Sequence, residues 1–167
     1  MSAEPTEQVI TYYLEMTSPE SLIAKAPVAG LDIKKVEIPQ FQYNRFLYQL
    51  IGDTWEWTDK LSWSDQQWQQ LVESDLHQTW VAYYQGAIAG YFELLREENS
   101  VEILYFGLSP QFIGKGMGGF LLSHAIDTAW NWDGTKRVWV HTCTLDHPNA
   151  LKNYQARGFE IYKTEQE

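Results

Sequence analysis

Cysteine, positive charge and long apolar runs are all scarce in this chain of 167 residues, and each scarcity removes a class of protein. Cys143 is the only cysteine, which excludes an intramolecular disulfide and a cysteine-based metal cluster. Twelve Lys and Arg stand against 22 Asp and Glu, a formal charge of −10. Phosphate backbones are gripped by clustered cations, so nucleic acid is not an expected partner. The acidic balance favours solubility and tolerates a cationic small molecule or a basic peptide. No apolar run approaches the ~20 residues of a membrane span, so no membrane partner is expected. MSAEPTEQ at the start has neither an apolar signal core nor a basic transit helix, and a cytoplasmic location is the expectation.

Apolar and aromatic side chains are abundant, at 44% and 15%, with eight Trp and ten Tyr. The length suits one domain over residues 1–167, with 1–30 as an N-terminal strand and linker extension. Packing a core uses some of the aromatics, and the surplus points to a pocket or an interface. A homodimer is left open.

Along the chain, VITYYL (9–14) and LDIKKVEI (31–38) have the β-branched and alternating character of strands. Helical periodicity runs from Phe41 to Ile51 and again through SWSDQQWQQLVES, with Ser62 or Ser64 as its N-cap. TWVAYYQGAIAGYFELL reads as two strands joined by a tight turn at Gln85-Gly86. REENS is a polar turn, and the nearly all-apolar VEILYFGL (101–108) is expected as a central strand covered on both faces. A helix over Phe120–Trp132, the strand RVWVHTC, the short helix NALKNYQARG and the strand FEIYKT complete the order.

Glycine is also sparse, yet four of the eleven fall within six positions: Gly114, Gly116, Gly118 and Gly119. Glycine weakens both helices and strands, so the cluster answers some other demand. A triphosphate-binding loop, G-x-x-x-x-G-K-[ST], fails because Gly116 follows Lys115 where a hydroxyl must stand. Gly114, Gly116 and Gly119 match the dinucleotide fingerprint G-x-G-x-x-G. That fingerprint belongs to an opening βαβ unit, whereas here it follows meander strands late in the chain. Gln111-Phe112-Ile113-Gly114-Lys115-Gly116 fits a third pattern, Q/R-x-x-G-x-G/A, and HPNALKNYQARGF follows downstream.

With these motifs the sequence resembles the GNAT superfamily of acyl-CoA-dependent N-acyltransferases, from roughly Leu31 onward and most specifically over 101–159. The resemblance implies a mixed α/β fold: a twisted, mostly antiparallel sheet with a splayed parallel central pair, flanked by helices. It implies transfer of an acetyl group from acetyl-CoA to a primary amine of a small molecule or peptide, directly in a ternary complex and without a metal. In such a protein the glycines admit the coenzyme's pyrophosphate to the free N–H groups of a helix start. The residues implied are Gln111, Phe112, Ile113, Gly114 and Lys115, continuing through Gly116, Met117, Gly118 and Gly119. The backbone of Phe106, Gly107 and Leu108 would pair with the pantetheine amides, and Asn149 would hydrogen-bond the same arm.

Amide formation from a thioester needs a neutral amine and a protonated leaving thiol. By resemblance, Tyr154, five residues after Asn149, is the acid. Glu102, a carboxylate in an otherwise apolar strand, is the candidate base, with Glu93 as rival and a water chain as a further option. His141 could reach the same cleft, although a structural histidine also fits. His124 and His147 lack metal-ligand spacing, and Cys143 reads as a small hydrophobe. Trp55, Trp57, Asp59 and Trp63, with Tyr105, are candidates for the acceptor pocket, since aromatic faces and a carboxylate suit an organic amine. Two other readings stay open: an idle acyl-CoA-binding module, and a dinucleotide-binding oxidoreductase.

Overall fold

The computed structural model describes residues 8–55 and 57–166; residues 1–7 of the expected N-terminal extension lie outside them. The chain runs through β1 (Ile10–Met16), β2 (Leu31–Lys35), α1 (Phe41–Gly52), α2 (Asp65–Val72), β3 (His77–Tyr84) and β4 (Ala87–Glu97). It continues through β5 (Ser100–Leu108), α3 (Gly118–Asn131), β6 (Arg137–Cys143), α4 (Ala150–Ala156) and β7 (Glu160–Gln166). The strands form one sheet in the order β2-β3-β4-β5-β6-β1-β7, antiparallel throughout except for β5 and β6. This is the expected mixed α/β architecture with one parallel pair.

Local signals explain most boundaries. Gln85 and Gly86 both take positive φ, 50° and 86°, the backbone that a two-residue hairpin with the right twist requires. Ser64 is the N-cap of α2, and its hydroxyl and the Gln67 side chain form a reciprocal capping box, which decides between the two serines. β5 is central, as its apolar run implies. On one face Leu121, Leu122, Ala125 and Ile126 of α3 pack with Val101 and Ile103. On the other, Leu47 and Ile51 of α1 pack with Val81 and Tyr91.

One placement departs from chain order. β1 does not lie beside β2; it inserts between β6 and β7, pairing antiparallel with both. Leu14 and Met16 are buried there in the α3-side core. The segment after β1 then crosses toward α3 and α4, where the Ile23 N–H donates to the Arg157 carbonyl.

Two irregularities in β5 prepare the site. Its parallel pairing with β6 ends after Glu102↔Trp139, although both strands continue. Directly beyond, Leu104 is an extra residue in the register with β4, between Ile103↔Leu94 and Tyr105↔Glu93. Such a bulge bends its strand, and here the bend coincides with the parting of β5 from β6.

Candidate active site

A cleft of about 820 Å³ opens where β5 and β6 part. Phe106, Gly107 and Leu108 of β5 line one side, Val140, His141 and Cys143 of β6 the other, and Gly114, Gly116, Met117, Gly118 and Gly119 close one end. Gly107 permits a close approach from behind, because a Cβ there would lie 2.6 Å from Ile51 of α1.

The glycine loop is shaped for a ligand rather than for the chain itself. Gly114 and Gly116 both have φ of 80°, and a Cβ at either would meet no protein atom within 4 Å. From Gly114 to Phe120, no backbone N–H donates to an acceptor among the described residues. α3 begins at Gly118 with Met117 as N-cap and no side-chain cap, so its orphan donors and positive dipole end face the cleft. The helix therefore starts two residues before Phe120, with Gly118 and Gly119 in its first turn.

Two cations, neither singled out in the sequence, stand at this end. Arg157 lines the cleft at the end of α4, and its buried Nε and Nη1 have no partner. A Cβ on Gly119 would lie 3.0 Å from that Nη1 and 3.3 Å from the Lys25 side chain. Lys25 is fixed by its backbone N–H, which donates to the Ser123 hydroxyl at 2.8 Å. Buried guanidinium nitrogens without an acceptor are costly, and orphan amides beside them ask for the same remedy. The donor set therefore fits a pyrophosphate. Asn153 supports the loop, its amide donating to the Gly118 carbonyl at 3.3 Å. Arg157 was readable only as a cation near a helix end, and Lys25 carried no local signal.

Other predicted residues take varied positions. Ile113 and Asn149 line the cleft; Asn149 is the N-cap of α4 but makes no side-chain capping bond. Gln111 and Lys115 are exposed and outside the lining, and Phe112 is buried in the core. Tyr154 is buried, lines the cleft and stacks edge-on against Phe106. Burial, helped by the Asp146 carboxylate, pushes its phenol pKa well up, so it stays protonated at neutral pH.

On β6, His141 faces the cleft with Glu102 behind it, outside the lining, its carboxylate 3.4 Å from the His141 Nδ1. Glu102 raises the His141 pKa against the opposing effect of burial. Cys143 lines the cleft half-buried, and burial raises its pKa, keeping it a thiol. Glu93 is wholly buried, its Oε1 2.6 Å from the His77 Nε2.

The segment between α1 and α2 forms the remaining wall. Trp55, Trp57, Asp59 and Tyr105 line the cleft; Trp63 lies behind them, packed on Trp68. Trp57 Nε1 donates to Asp146 at 3.1 Å, and the Trp55 ring meets His147 edge-on at 5.0 Å. Both contacts span the cleft from the α1–α2 segment to the β6–α4 loop. No group of three His, Cys, Asp or Glu side chains is placed to hold a metal among the described residues, and no described helix is long and apolar enough to cross a membrane.

A bulged central strand parting from its parallel neighbour over a glycine-rich helix start is the arrangement of the GNAT acetyltransferase class of fold. The sequence profile of the acetyltransferase (GNAT) family matches residues 44–159, and the chain belongs to that family. No curated protein sequence matches the chain. Among solved structures, a GCN5-related N-acetyltransferase from Kribbella flavida is similar at 16% identity and TM-score 0.67, over 93% of this chain and 55% of its own. An aminoglycoside acetyltransferase from an uncultured soil metagenomic sample is similar at 17% identity and TM-score 0.64, over 77% of this chain and 87% of its own. An IAA acetyltransferase from Bacillus cereus is similar at 26% identity and TM-score 0.58, over 80% and 79%. The chain spans between 49% and 60% of the length of several larger structural relatives.

Proposed function

We propose that the protein, acting as one domain, transfers an acetyl group from acetyl-CoA to a primary amine of a small molecule or peptide, directly within a ternary complex. The observation that carries this reading is the cleft between β5 and β6, with free amides and an unpartnered Arg157 at one end and a protonated Tyr154 in its wall. Acetyl-CoA supplies an acyl group activated as a thioester. The amides from Gly114 to Phe120, with Arg157 and Lys25, would hold its pyrophosphate, while β5 and Asn149 would hold its arm.

In such a transfer a C–N bond forms and a C–S bond breaks; one proton leaves the amine and one reaches the sulfur. Tyr154 keeps its proton at neutral pH and would give it to the sulfur. His141, oriented and charge-balanced by Glu102 at Nδ1, would take the amine's proton at its other ring nitrogen, Nε2. The base assigned to Glu102 thereby becomes a pair, with the imidazole between carboxylate and substrate. The similarity to an aminoglycoside acetyltransferase supports a small-molecule amine as acceptor.

A thiol-release screen with acetyl-CoA against amines, polyamines, aminoglycosides, amino acids and peptides tests this directly. Amine-dependent release is expected. Tight acetyl-CoA binding with no release for any acceptor would replace the reading with an idle coenzyme-binding module.

A further inference from the structure

The wall built by the α1–α2 segment contains a cation. Lys60 Nζ lies 4.5 Å from the centre of the Trp63 ring and 4.7 Å from that of Tyr105, and it donates to the Tyr105 hydroxyl. Tyr48 packs edge-on against Tyr105, closing another side. Opposite Tyr105 in the β4–β5 register stands Glu93, wholly buried, with its Oε1 on His77. Burial disfavours the Lys60 charge and lowers its pKa, while the carboxylates of Glu93, Asp59 and Glu102 oppose that fall. Asp59, Tyr48 and Tyr105 line the cleft, so this seat is continuous with the candidate active site.

The arrangement is a cation site filled from within. Ring faces and carboxylates favour an organic ammonium, and a lysine stem is flexible enough to leave. Among the described residues, few bonds hold the Lys60 backbone in place: its N–H donates to the Tyr48 hydroxyl at 3.2 Å, and single turns close Thr58–Leu61 and Lys60–Trp63. An ammonium bound over the rings and donating to the Tyr105 hydroxyl has no lone pair, so a group bound here as a cation is not the nucleophile. A substrate that uses the seat therefore needs a second amino group to react. We infer that the acceptor is a diamine or polyamine, one of whose ammonium groups displaces Lys60 from the Trp63–Tyr105 seat while another, neutral, amine is acylated. This assignment rests on the acyltransferase reading.

The test is calorimetric titration of the full chain and of Lys60→Met with putrescine, cadaverine and spermidine, each compared with butylamine. Acetyl-CoA is titrated separately. Removing an internal competitor that fills the seat nine-tenths of the time would tighten polyamine binding by about tenfold. Butylamine and acetyl-CoA affinities should stay within about twofold. Lys60→Gln, which removes the charge at similar length, should behave alike, and it serves if the Met variant misfolds. Lys60→Arg keeps a cation over the rings and should show no gain. Unchanged or weaker polyamine binding in the uncharged variants, with acetyl-CoA still bound, overturns the seat alone. An equal gain for butylamine overturns the need for a second amine. Absence of acetyl-CoA binding in every protein overturns the transferase reading, and the acceptor assignment with it.

Discussion

The two ends of the cleft are built from different materials. At the glycine loop the lining is main chain: free amides from Gly114 to Phe120, two glycines at φ of 80° and a helix start without a side-chain cap. At the other end it is side chain: Trp55, Trp57, Asp59 and Tyr105, brought from separate elements and braced by Tyr48 and Asp146. A phosphate is the same on every coenzyme molecule, and backbone amides recognise it without depending on side-chain identity. An acceptor differs from one enzyme to another, and only side chains can follow that difference. The proposed chemistry falls to Tyr154 and the Glu102–His141 pair, which belong to the strands and the last helix.

The largest effect is expected at Tyr154. Tyr154→Phe deletes one oxygen and keeps the ring against Phe106 and Phe159. General acid–base groups are worth about 10²–10⁴ in rate, so single-turnover acyl transfer should fall by that range while acetyl-CoA affinity changes little. A rate within about threefold of wild type would make Tyr154 a packing residue and leave the thiolate to water.

Next is the backbone-built end. Gly116→Val forces a β-branched residue to positive φ, costing ~1–2 kcal/mol, and sets its side chain in the open cradle. With a charge-assisted hydrogen bond of ~1.5–3 kcal/mol also lost, acetyl-CoA should bind about 100-fold more weakly. The Cβ itself meets no protein atom, so the circular dichroism spectrum should remain native. Unchanged affinity would show that the cradle does not hold the coenzyme.

Arg157 sharpens the comparison, being a side chain in the backbone-built half. Two of its guanidinium nitrogens, Nε and Nη1, are buried without a partner among the described residues, so Arg157→Met should hold or raise Tm. The same variant should weaken acetyl-CoA by about tenfold through loss of a charge-assisted contact. A fall in both Tm and affinity would mean that Arg157 supports the fold instead. Dephospho-CoA, tested in parallel, separates pyrophosphate contact from contact with the terminal phosphate.

How far the sequence could be read follows the same division. The glycine loop is contiguous, so its motif, together with HPNALKNYQARGF downstream, carried the resemblance to the family, and the strand–loop–helix–strand order from 101 to 159 identified the sheet around it. The place of β1 was not legible, because pairs such as Thr11↔Cys143 join residues at opposite ends of the chain. Lys25 was missed for that reason: only the path of the segment after β1 brings it to α3. Glu93 looked like a possible base because a carboxylate in a strand is conspicuous, but its partner His77 lies on a different strand. Ser62 and Ser64 were equivalent on paper until the Gln67 amide selected one. Side-chain clusters assembled across elements leave no periodic trace, and Lys60 over Trp63 and Tyr105 is such a cluster.

The smallest effect, and the most informative for the acceptor half, is expected from Glu102→Gln. Glu102 is the main cause of the raised His141 pKa, with Asp146 and Asp59 adding to it and burial opposing. An imidazole accepts a proton only when neutral, so the wild-type rate should rise with pH through a midpoint above the ordinary 6.5. Without the carboxylate the opposing burial gains weight, and the midpoint should move down. The plateau should fall only a few-fold, because the imidazole remains but loses the charge that steadies its protonated form. Stability should follow the same linkage. A pKa raised by folding stabilises the native state below the unfolded value and loses that contribution as pH rises through the folded value. Wild type should therefore lose a small increment of Tm across that window, and Glu102→Gln should not. If the ascending limb disappears altogether, Glu102 is itself the base and His141 only covers it. An unmoved limb and an unmoved plateau would make the pair structural, and the amine's proton would leave by water through the open end of the cleft.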